Sequence, residues 1–569
     1  MHITSKAAVA TAAASFWVQL AAAQATCSNV TAEKTYDYII VGSGAGGIPL
    51  ADRLSEAGKT VLLIEKGPPS TGRWGGTMKP DWLNGTSLTR FDVPGLCNQI
   101  WADPTGVSCT DVDQMAGCVL GGGTAVNAGL WWKPHPEDWD VNFPTGWQSK
   151  DLVEATGKVF GRIPGTIAPS VDGVRYLSQG FDMLGGSLKA AGWEYVVANN
   201  NPEKKNRTYG HSTFMYSGGE RGGPLATYLV NAASRPSFTL WTHTIAKRVV
   251  RTGGLATGVE VECNGGGHAG VVSVTPKTGR VILAAGSFGS AKLLWRSGIG
   301  TVDQLNIVKN STDGPTMISS DQWINLPVGY NLNDHVGTDI EISHPDVVFY
   351  DYYGAWKNPI PEDKEKYLSA RIGPLAQAAP NIGPIFWETI KGADGVNRHF
   401  HWQSRVEGTL NTSMTVTQYL GTGSTSRGRL TITRQLNTIV STPPYLRTDN
   451  DKAAVVQSLI NLQKVLAPVQ GLSWITPKPN VTAEQFIASV PAIPARRGSN
   501  HWTGTAKIGT DDGRTNGTAV VDLNTKVYGT ENLFVVDASI FPGMITANPS
   551  AAIVIVSEHA AKKILALPA

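Results

Sequence analysis

A glycine-rich turn between an apolar strand and a helix constrains the fold of this chain more than any other feature. The segment Tyr36–Gly47 reads YDYIIVGSGAGG, with Gly42, Gly44 and Gly47 at the glycine positions of G-x-G-x-x-G. The first glycine permits a tight turn, the second lets a pyrophosphate approach the backbone, and the third lets helix and strand pack closely. The pattern predicts a dinucleotide site at the positive end of the helix.

The residues after the turn complete this unit. Ile48–Ala57 has the apolar spacing of a helix, Gly58 stops it, and Thr60–Ile64 predicts a second buried strand. Glu65 follows about twenty residues after the glycines, where a carboxylate accepts a hydrogen bond from a ribose hydroxyl. NAD and FAD both use this unit, so it leaves the choice between them open.

Length, charge and the N-terminus set the class of protein. The 569 residues are too many for one hydrophobic core, so two or more domains are expected. The net charge of +3, or +2 without Lys6, predicts no nucleic-acid surface. Residues 1–25 have a basic start, an alanine-rich apolar stretch and A-x-A sites, which predict a secretory signal; a short membrane anchor is the alternative. No later segment reaches spanning length, so no membrane partner is expected.

Glycosylation motifs and cysteines agree with export. We expect surface glycans at seven N-x-S/T motifs, which begin at Asn29, Asn84, Asn206, Asn310, Asn411, Asn480 and Asn516. The odd number of cysteines, five, leaves at least one thiol free unless it pairs between chains. Cys97 and Cys109 flank a short Asp-Pro-Thr-Gly loop and are predicted to form a disulfide, with Cys118 a buried free thiol.

Further segments predict where a cofactor and a substrate would lie. The run Gly117–Trp131, GCVLGGGTAVNAGLW, is rich in glycine and small residues, which lets the backbone lie against a flat ring system. Arg280–Ala285 is a buried strand that enters the strand–turn–helix segment Gly286–Gly300. Between about residues 340 and 495, alternating segments such as Ser413–Leu420 and Arg429–Arg434 predict an antiparallel sheet that presents a face to a ligand.

The C-terminal segment returns to the nucleotide-binding pattern. Leu533–Val536 predicts a buried strand that ends at Asp537 and Ala538. Asn548 is a good helix N-cap with Pro549 at the first helical position, before the apolar helix Ala551–Leu567. The N-terminus of this helix would stabilise negative charge placed next to it.

These residues resemble the glucose–methanol–choline (GMC) oxidoreductase family. The first family signature is met by Gly117–Asp140, and the second by Gly286–Gly300, with Ala291 where proline or serine is usual. VGYNLNDH at 328–335, VVDAS at 535–539 and NPS at 548–550 also look like the family's. Within the family, DYIIVGSGAGG, GCVLGGGTAVN and SNHW are most similar to the flavin-binding part of fungal cellobiose dehydrogenases.

The resemblance covers the whole mature chain and implies FAD as cofactor. The implied fold is an α/β Rossmann-like FAD-binding domain of GMC type plus an α+β substrate domain with a large antiparallel sheet. After the signal peptide at 1–25, the FAD-binding domain takes residues 35–150, 236–335 and 498–569, and the substrate domain takes 151–235 and 336–497.

The resemblance also implies roles for individual residues. His501 matches the family's catalytic base, and Asn548 matches a second catalytic position that holds histidine or asparagine. The implied FAD contacts are Gly42, Gly44, Gly47, Glu65, Gly122, Thr124, Asn127, Ala128, Asp537, Ala538 and Pro549. The implied substrate contacts are Ser499, Asn500, Arg405 and Asn98, which stands where the cellobiose enzymes carry glutamate. Losing that carboxylate predicts a weaker hold on the non-reducing sugar.

The function implied is a secreted dehydrogenase that oxidises the anomeric carbon of cellobiose or a related oligosaccharide to a lactone. His501 would take the hydroxyl proton, flavin N5 the hydride, and a quinone, phenoxy radical or copper mono-oxygenase the electrons. Two alternatives remain: a sugar or aryl-alcohol oxidase that uses O₂, which Asn548 in place of histidine disfavours, and a non-redox lyase or cyclase that keeps FAD. No metal is expected, and His399 and His401, two apart without a third ligand, are interpreted as ordinary.

Overall fold

The computed structural model describes residues 26–31, 34–378 and 382–568, so the predicted leader lies outside the described residues. The helices are α1 Gly47–Glu56, α2 Gln99–Ala102, α3 Gly123–Val126, α4 Pro136–Asp140, α5 Val153–Arg162, α6 Gln179–Ala190, α7 Tyr228–Ala233, α8 Gly286–Arg296, α9 Val302–Lys309, α10 Pro361–Ala370, α11 Asp449–Leu466, α12 Ala483–Ser489, α13 Pro494–Arg497 and α14 Ser550–Ala566. The strands are β1 Ser28–Asn29, β2 Thr35–Tyr36, β3 Tyr38–Val41, β4 Val61–Ile64, β5 Glu194–Tyr195, β6 Thr208–His211, β7 Tyr216–Ser217, β8 Glu220–Arg221, β9 Phe238–Trp241, β10 Thr244–Thr252, β11 Leu255–Cys263, β12 His268–Val274, β13 Arg280–Leu283, β14 Val336–Ser343, β15 Pro384–Lys391, β16 Asn397–Arg405, β17 Ser413–Leu420, β18 Arg429–Ile432, β19 Thr438–Thr442, β20 Ser473–Thr476 and β21 Leu533–Val535.

A parallel sheet in the order β21-β13-β3-β4-β9 organises the first domain. Its register places Val41, Ile64, Leu283 and Val535 side by side at the carboxyl ends of their strands. The turns that follow these strands therefore meet at one edge of the sheet, although they are up to several hundred residues apart in sequence. In open α/β sheets this edge, near the point where the strand order reverses, is where ligands bind.

The second domain is built on a sheet in the order β20-β14-β17-β16-β15-β6-β5. Its neighbouring strands are antiparallel, except that β5 and β6 run parallel. The predicted combination of an α/β domain of Rossmann-like type with a domain carrying a large antiparallel sheet is confirmed. Strands β14, β16 and β17 of this sheet face the carboxyl edge of the parallel sheet across a shared cavity.

Several predicted elements are present with shifted bounds. The predicted helix at 48–57 is α1, and the predicted strand at 413–420 is β17. The stretch 238–252 contains two strands, β9 in the parallel sheet and β10 in the sheet formed by β1, β2 and β10–β12. His243 adopts a left-handed backbone with φ of 53° between them. That reversal lets one stretch of sequence supply strands to two sheets.

The predicted cysteine pairing is wrong. The disulfides join Cys27 to Cys263 and Cys109 to Cys118, and Cys97 is a free, buried thiol. Backbone hydrogen bonds from Cys109 N to Ala116 O and from Cys118 N to Val107 O bring the two ends of one short loop together. Cys97 instead follows a 3₁₀ turn packed into the interior, and burial raises the pKa of its thiol to about 12.

The last helix locks the first domain together. Helix α14 packs on α1 and α5, and the Ser557 hydroxyl donates to Gly46 O in the glycine turn at 2.5 Å. Buried Glu558 accepts from Tyr228 at 2.9 Å and pairs with Arg53 at 3.2 Å. Among the helices of the described residues, none is long and apolar enough to cross a bilayer.

Candidate active site

A cavity of about 630 Å³ lies at the carboxyl edge of the parallel sheet. Its walls include the glycine turn after β3, Glu65 after β4, the start of α8 after β13, and Asp537 after β21. The antiparallel sheet closes the other side with Asp339 of β14, Arg405 of β16 and Tyr419 of β17. The same cavity therefore contacts both domains.

The glycine turn has the shape that its sequence requires. Gly42 has a φ of 103°, and a Cβ there would collide with the carbonyl of Ala284. A Cβ on Gly47 would collide with the Gly42 carbonyl. Gly44 also lines the cavity, and a Cβ there would have no protein atom within 4 Å. The turn is thus packed tightly against the protein at its ends and is open toward the cavity at its centre.

Glu65 ties this turn to the end of β4. Its carboxylate accepts from the Ser43 hydroxyl at 2.5 Å, from Ser43 N at 3.2 Å and from Gly67 N at 2.9 Å. The side chain is buried at the cavity wall, and burial raises its pKa against these hydrogen bonds. Glu65 therefore stabilises the glycine turn and also faces the cavity. A hydrogen bond from Glu65 to a ribose hydroxyl group remains a prediction.

The second glycine-rich run forms the next part of the wall, with Gly122, Thr124, Asn127 and Ala128 facing the cavity. Thr124 donates its hydroxyl to Gly121 O at 2.7 Å, and Asn127 donates to the Ser550 hydroxyl of α14 at 3.0 Å. Arg221, which the sequence did not single out, is buried and donates to Asn127 O at 2.6 Å and to Thr124 O at 3.1 Å. It fixes this run from behind.

Asp537 joins the two later strand ends. Its carboxylate accepts from Gly286 N at 2.9 Å, from the Ser290 hydroxyl at 2.5 Å and from Ser539 N at 2.7 Å. The side chain is buried, and burial raises its pKa. Ala538 and Pro549 line the same wall.

His501 and Asn548, the two predicted catalytic residues, come from separate segments and lie next to each other at the cavity. Asn548 Nδ2 lies 3.1 Å from His501 Nε2, and His501 Nδ1 lies 3.0 Å from His335 Nδ1. Burial, and then the neighbouring His335, lower the pKa of His501 well below its ordinary value. A neutral imidazole beside an amide donor is a suitable acceptor for the proton of a hydroxyl group.

The predicted capping role of Asn548 is wrong. Helix α14 begins at Ser550, with Pro549 at the N-cap and without a side-chain cap. The Asn548 amide turns to His501 instead, and its Oδ1 is buried without a protein hydrogen-bond partner. An unpaired buried acceptor is costly, so this atom is expected to accept from a bound ligand.

The predicted substrate residues line the cavity as well. Arg405 donates to Glu407 at 3.0 Å and to the Thr417 hydroxyl at 2.9 Å, and it lies 3.8 Å from Asp339. Burial opposes its charge, but Asp339 and Glu407 raise the pKa of Arg405 above its ordinary value. Asn98, Ser499 and Asn500 also face the cavity, and Asn500 has a left-handed backbone with φ of 58°.

Comparison with known sequences decides the family. Models described as GMC oxidoreductase match residues 36–337 and 424–557. The chain belongs to the GMC oxidoreductase family. Human mitochondrial choline dehydrogenase is 29% identical over 569 residues, covering 94% of this chain and 90% of that protein. Ecdysone oxidase of Spodoptera littoralis is 24% identical, covering 94% and 92%.

Solved structures show the same fold. A variant of Aspergillus oryzae formate oxidase aligns with this GMC oxidoreductase at a TM-score of 0.74 and 19% identity, covering 94% of this chain and 99% of that one. An FAD-dependent oxidoreductase from Chaetomium thermophilum aligns at 0.71 and 20% identity, covering 93% and 99%.

FAD is the cofactor of this GMC oxidoreductase. The residues present fit it: the open face of Gly44 leaves room for a pyrophosphate next to the N-terminus of α1. The glycine-rich run at 117–131 supplies backbone without bulky side chains along the wall. In the described part of the chain, no group of three or more histidine, cysteine, aspartate or glutamate side chains could hold a metal.

Sequence reasoning gave no role to His335 and Asp334, which lie beside His501. Both belong to the VGYNLNDH segment, which resembled the family but pointed to no chemistry. A buried Asp-His pair shortly before a long strand is the signal that could have drawn attention to them. His399 bonds Thr389 and Glu137, whereas His401 packs its ring 5.0 Å from His335.

Proposed function

We propose that this protein is a secreted FAD-dependent dehydrogenase that oxidises the anomeric carbon of cellobiose or a related sugar to a lactone. The observation that carries the proposal is the meeting of His501 and Asn548, 3.1 Å apart, in the cavity that Arg405 also lines. One bound substrate would then face His501 as proton acceptor, the Asn548 amide as donor, and Arg405, which can donate several hydrogen bonds. The proposed electron acceptor is a quinone, a phenoxy radical or a copper mono-oxygenase.

The proposed chemistry divides between the cofactor and the protein. FAD, when bound, supplies the acceptor for the hydride that leaves the alcohol carbon. His501 Nε2 takes the hydroxyl proton, so the oxygen keeps the electron pair that becomes the second C–O bond. The Asn548 amide donates to that oxygen and holds it beside the base. Glu65, Asn127, Asp537 and the glycine turns, which line the cavity, would hold FAD.

Polar and aromatic side chains at this end of the cavity favour a sugar. Arg405 and Asn98 offer hydrogen bonds to hydroxyl groups, and Trp101 and Tyr353 offer exposed rings on which a sugar can pack. Choline, the substrate for which the human relative is named, fits less well. Asp339 and Glu407 are already paired with Arg405, and the positively charged Arg496 also lines the cavity.

Export and glycosylation are part of the proposal. All seven asparagines of the N-x-S/T motifs are exposed, so each is accessible to an oligosaccharide transferase in the secretory pathway. The two disulfides agree with an oxidising compartment.

The test is anaerobic reduction of the purified yellow protein. We expect cellobiose to bleach the visible flavin absorption, glucose to bleach it more slowly, and choline to leave it unchanged. Bleaching by choline alone would overturn the sugar proposal, and no bleaching by any aldose or alcohol would favour a non-redox role. Peroxide formation in air as fast as dye reduction would favour an oxidase instead.

A further inference from the structure

Segment 333–335 shapes the loop that carries the base. Asp334 is buried, and its carboxylate accepts from His501 N at 2.7 Å and from Ser499 N at 2.9 Å. It also accepts from the Ser499 hydroxyl at 2.6 Å and from the Tyr445 hydroxyl at 2.8 Å. Asn333 exchanges two backbone hydrogen bonds with Thr503. One short segment thus holds the backbone on both sides of the left-handed Asn500.

His335 holds the side chain of the same base. It is fully buried, and its Nε2 lies 2.7 Å from the carbonyl oxygen of Ile545. A carbonyl oxygen only accepts, so Nε2 of His335 must carry a proton. Burial lowers the pKa of His335 to about 4, so the ring is neutral near pH 7 and has one ring proton. Its Nδ1 therefore has a free lone pair.

This lone pair decides the tautomer of His501. The two Nδ1 atoms are 3.0 Å apart, and since His335 can only accept there, His501 must donate from Nδ1. A neutral His501 then has its lone pair on Nε2, the nitrogen that Asn548 Nδ2 approaches to 3.1 Å. The hydrogen bond made by one ring nitrogen sets the protonation of the other.

The surroundings of His335 leave its ring one orientation. The His401 ring packs edge to face at 5.0 Å, and the Tyr419 ring lies at 5.8 Å. His401 is itself fully buried, and burial lowers its pKa well below the ordinary value, so it adds no charge beside His335. A rotated His335 ring would lose the Ile545 carbonyl, which has no second donor in the described hydrogen-bond network of this site.

We propose that His335 is a positioning residue for the oxidation: its Nε2–H on the Ile545 carbonyl leaves Nδ1 as acceptor, which fixes His501 with Nε2 as the base. This inference rests on the proposed function. The carbonyl cannot accept a transferred proton, so the chain of hydrogen bonds ends there. A proton taken up at His501 Nε2 leaves through the cavity and not through His335.

Two substitutions separate this role from simple filling of the core. In His335→Gln the amide oxygen can accept from His501 Nδ1 and the amide nitrogen can donate to Ile545, whereas His335→Phe keeps a ring but does neither. We expect about a 10–100-fold slower anaerobic flavin reduction in His335→Phe, by analogy with residues that orient a metal-bound histidine, with KM little changed. His335→Gln should stay within about tenfold of the wild-type rate.

His399→Phe is the matched control, because His399, which lies on β16, is buried like His335 but bonds Thr389 and Glu137. It should reduce at the wild-type rate. Flavin content and melting temperature are measured for each variant. Equal rates for His335→Phe and wild type, or equal losses in the Phe and Gln variants with flavin retained, would overturn the proposal.

Neutron diffraction of the deuterated wild-type holoenzyme tests the tautomers without any substrate. We expect deuterium on His335 Nε2 and His501 Nδ1 and none on His501 Nε2. Deuterium on His501 Nε2 would overturn the proposal even if every variant failed to fold. If no alcohol reduces the flavin but this pattern is found, the proposed function fails while the assignment of the hydrogens stands.

Discussion

His501 faces the cavity as a neutral imidazole, because burial lowers its pKa well below the ordinary value of about 6.5. The base works only when it is unprotonated, so activity is lost as the pH falls through the pKa of the folded protein. We therefore expect the rate of anaerobic flavin reduction to stay constant from about pH 8 down to about pH 6 and to fall only at lower pH. Stopped-flow measurements across this range would show it, and a midpoint at or above pH 6.5 would contradict it. His501→Gln should slow the reaction by about 10²–10⁴-fold where the wild-type rate is independent of pH, and this difference should shrink at lower pH, where the wild-type base becomes protonated.

Arg405 gives a second prediction for a single residue. Its hydrogen bonds to Glu407 and Thr417 hold the guanidinium at the wall of the cavity. Arg405→Lys removes the planar fork, so we expect KM for cellobiose to rise about tenfold, the loss of one charge-assisted hydrogen bond. KM for glucose should change little. Arg429→Lys is the control, because both arginine side chains are 28% exposed and Arg429 pairs with Asp303 away from the cavity. An equal effect of the two substitutions on cellobiose would contradict the assignment.

At the scale of elements, the turn between β3 and α1 offers a sharp test of cofactor binding. Gly44→Ala adds a methyl group that meets no protein atom within 4 Å but projects at the cavity. We expect a variant that folds with an unchanged circular dichroism spectrum and loses most of its flavin. Gly157→Ala in α5, where a Cβ also meets nothing within 4 Å, should keep full flavin content. A yellow Gly44→Ala protein would contradict the role of this turn.

Elements whose residues interact with near neighbours in sequence are the ones that the sequence predicts well. Strand–turn–helix units with strong local signals, such as α1 between β3 and β4, were predicted within a residue or two, because their residues interact with near neighbours. The disulfide of Cys109 with Cys118 was missed, since the pairing depends on how one loop folds back on Val107 and Ala116. The contact of His335 with His501 joins residues 166 apart in sequence. No local pattern indicates which nitrogen of one ring will meet the other.

At the scale of the whole molecule, the Cys27–Cys263 disulfide joins the N-terminal segment to the end of β11, across 236 residues. A crosslink that closes a long loop reduces the entropy of the unfolded chain, typically by about 2–4 kcal/mol. We expect Cys27→Ser with Cys263→Ser to lower the free energy of unfolding by about that amount while flavin reduction by cellobiose is unchanged. Thermal and denaturant unfolding would measure the change, and an unchanged melting temperature would contradict it.

The exposed asparagines give a second prediction at this scale. If the chain is exported as proposed, removing N-linked glycans enzymatically should lower its apparent mass, and mass spectrometry of peptides should find occupied sites among the seven motifs. A secreted protein whose mass does not change on this treatment would contradict the glycosylation proposal.

The crosslink between Cys109 and Cys118 belongs to the wall of the cavity, and the loop it closes holds Asp111 between Lys66 and Lys292. This placement matters for anyone who produces the protein. In a bacterial cytoplasm Cys109 and Cys118 would stay reduced and the loop would lack its crosslink, whereas the disulfide would form in the periplasm or in the secretory pathway of yeast. The flavin content of the purified enzyme, seen as its yellow colour, would then depend on whether the host compartment is oxidising.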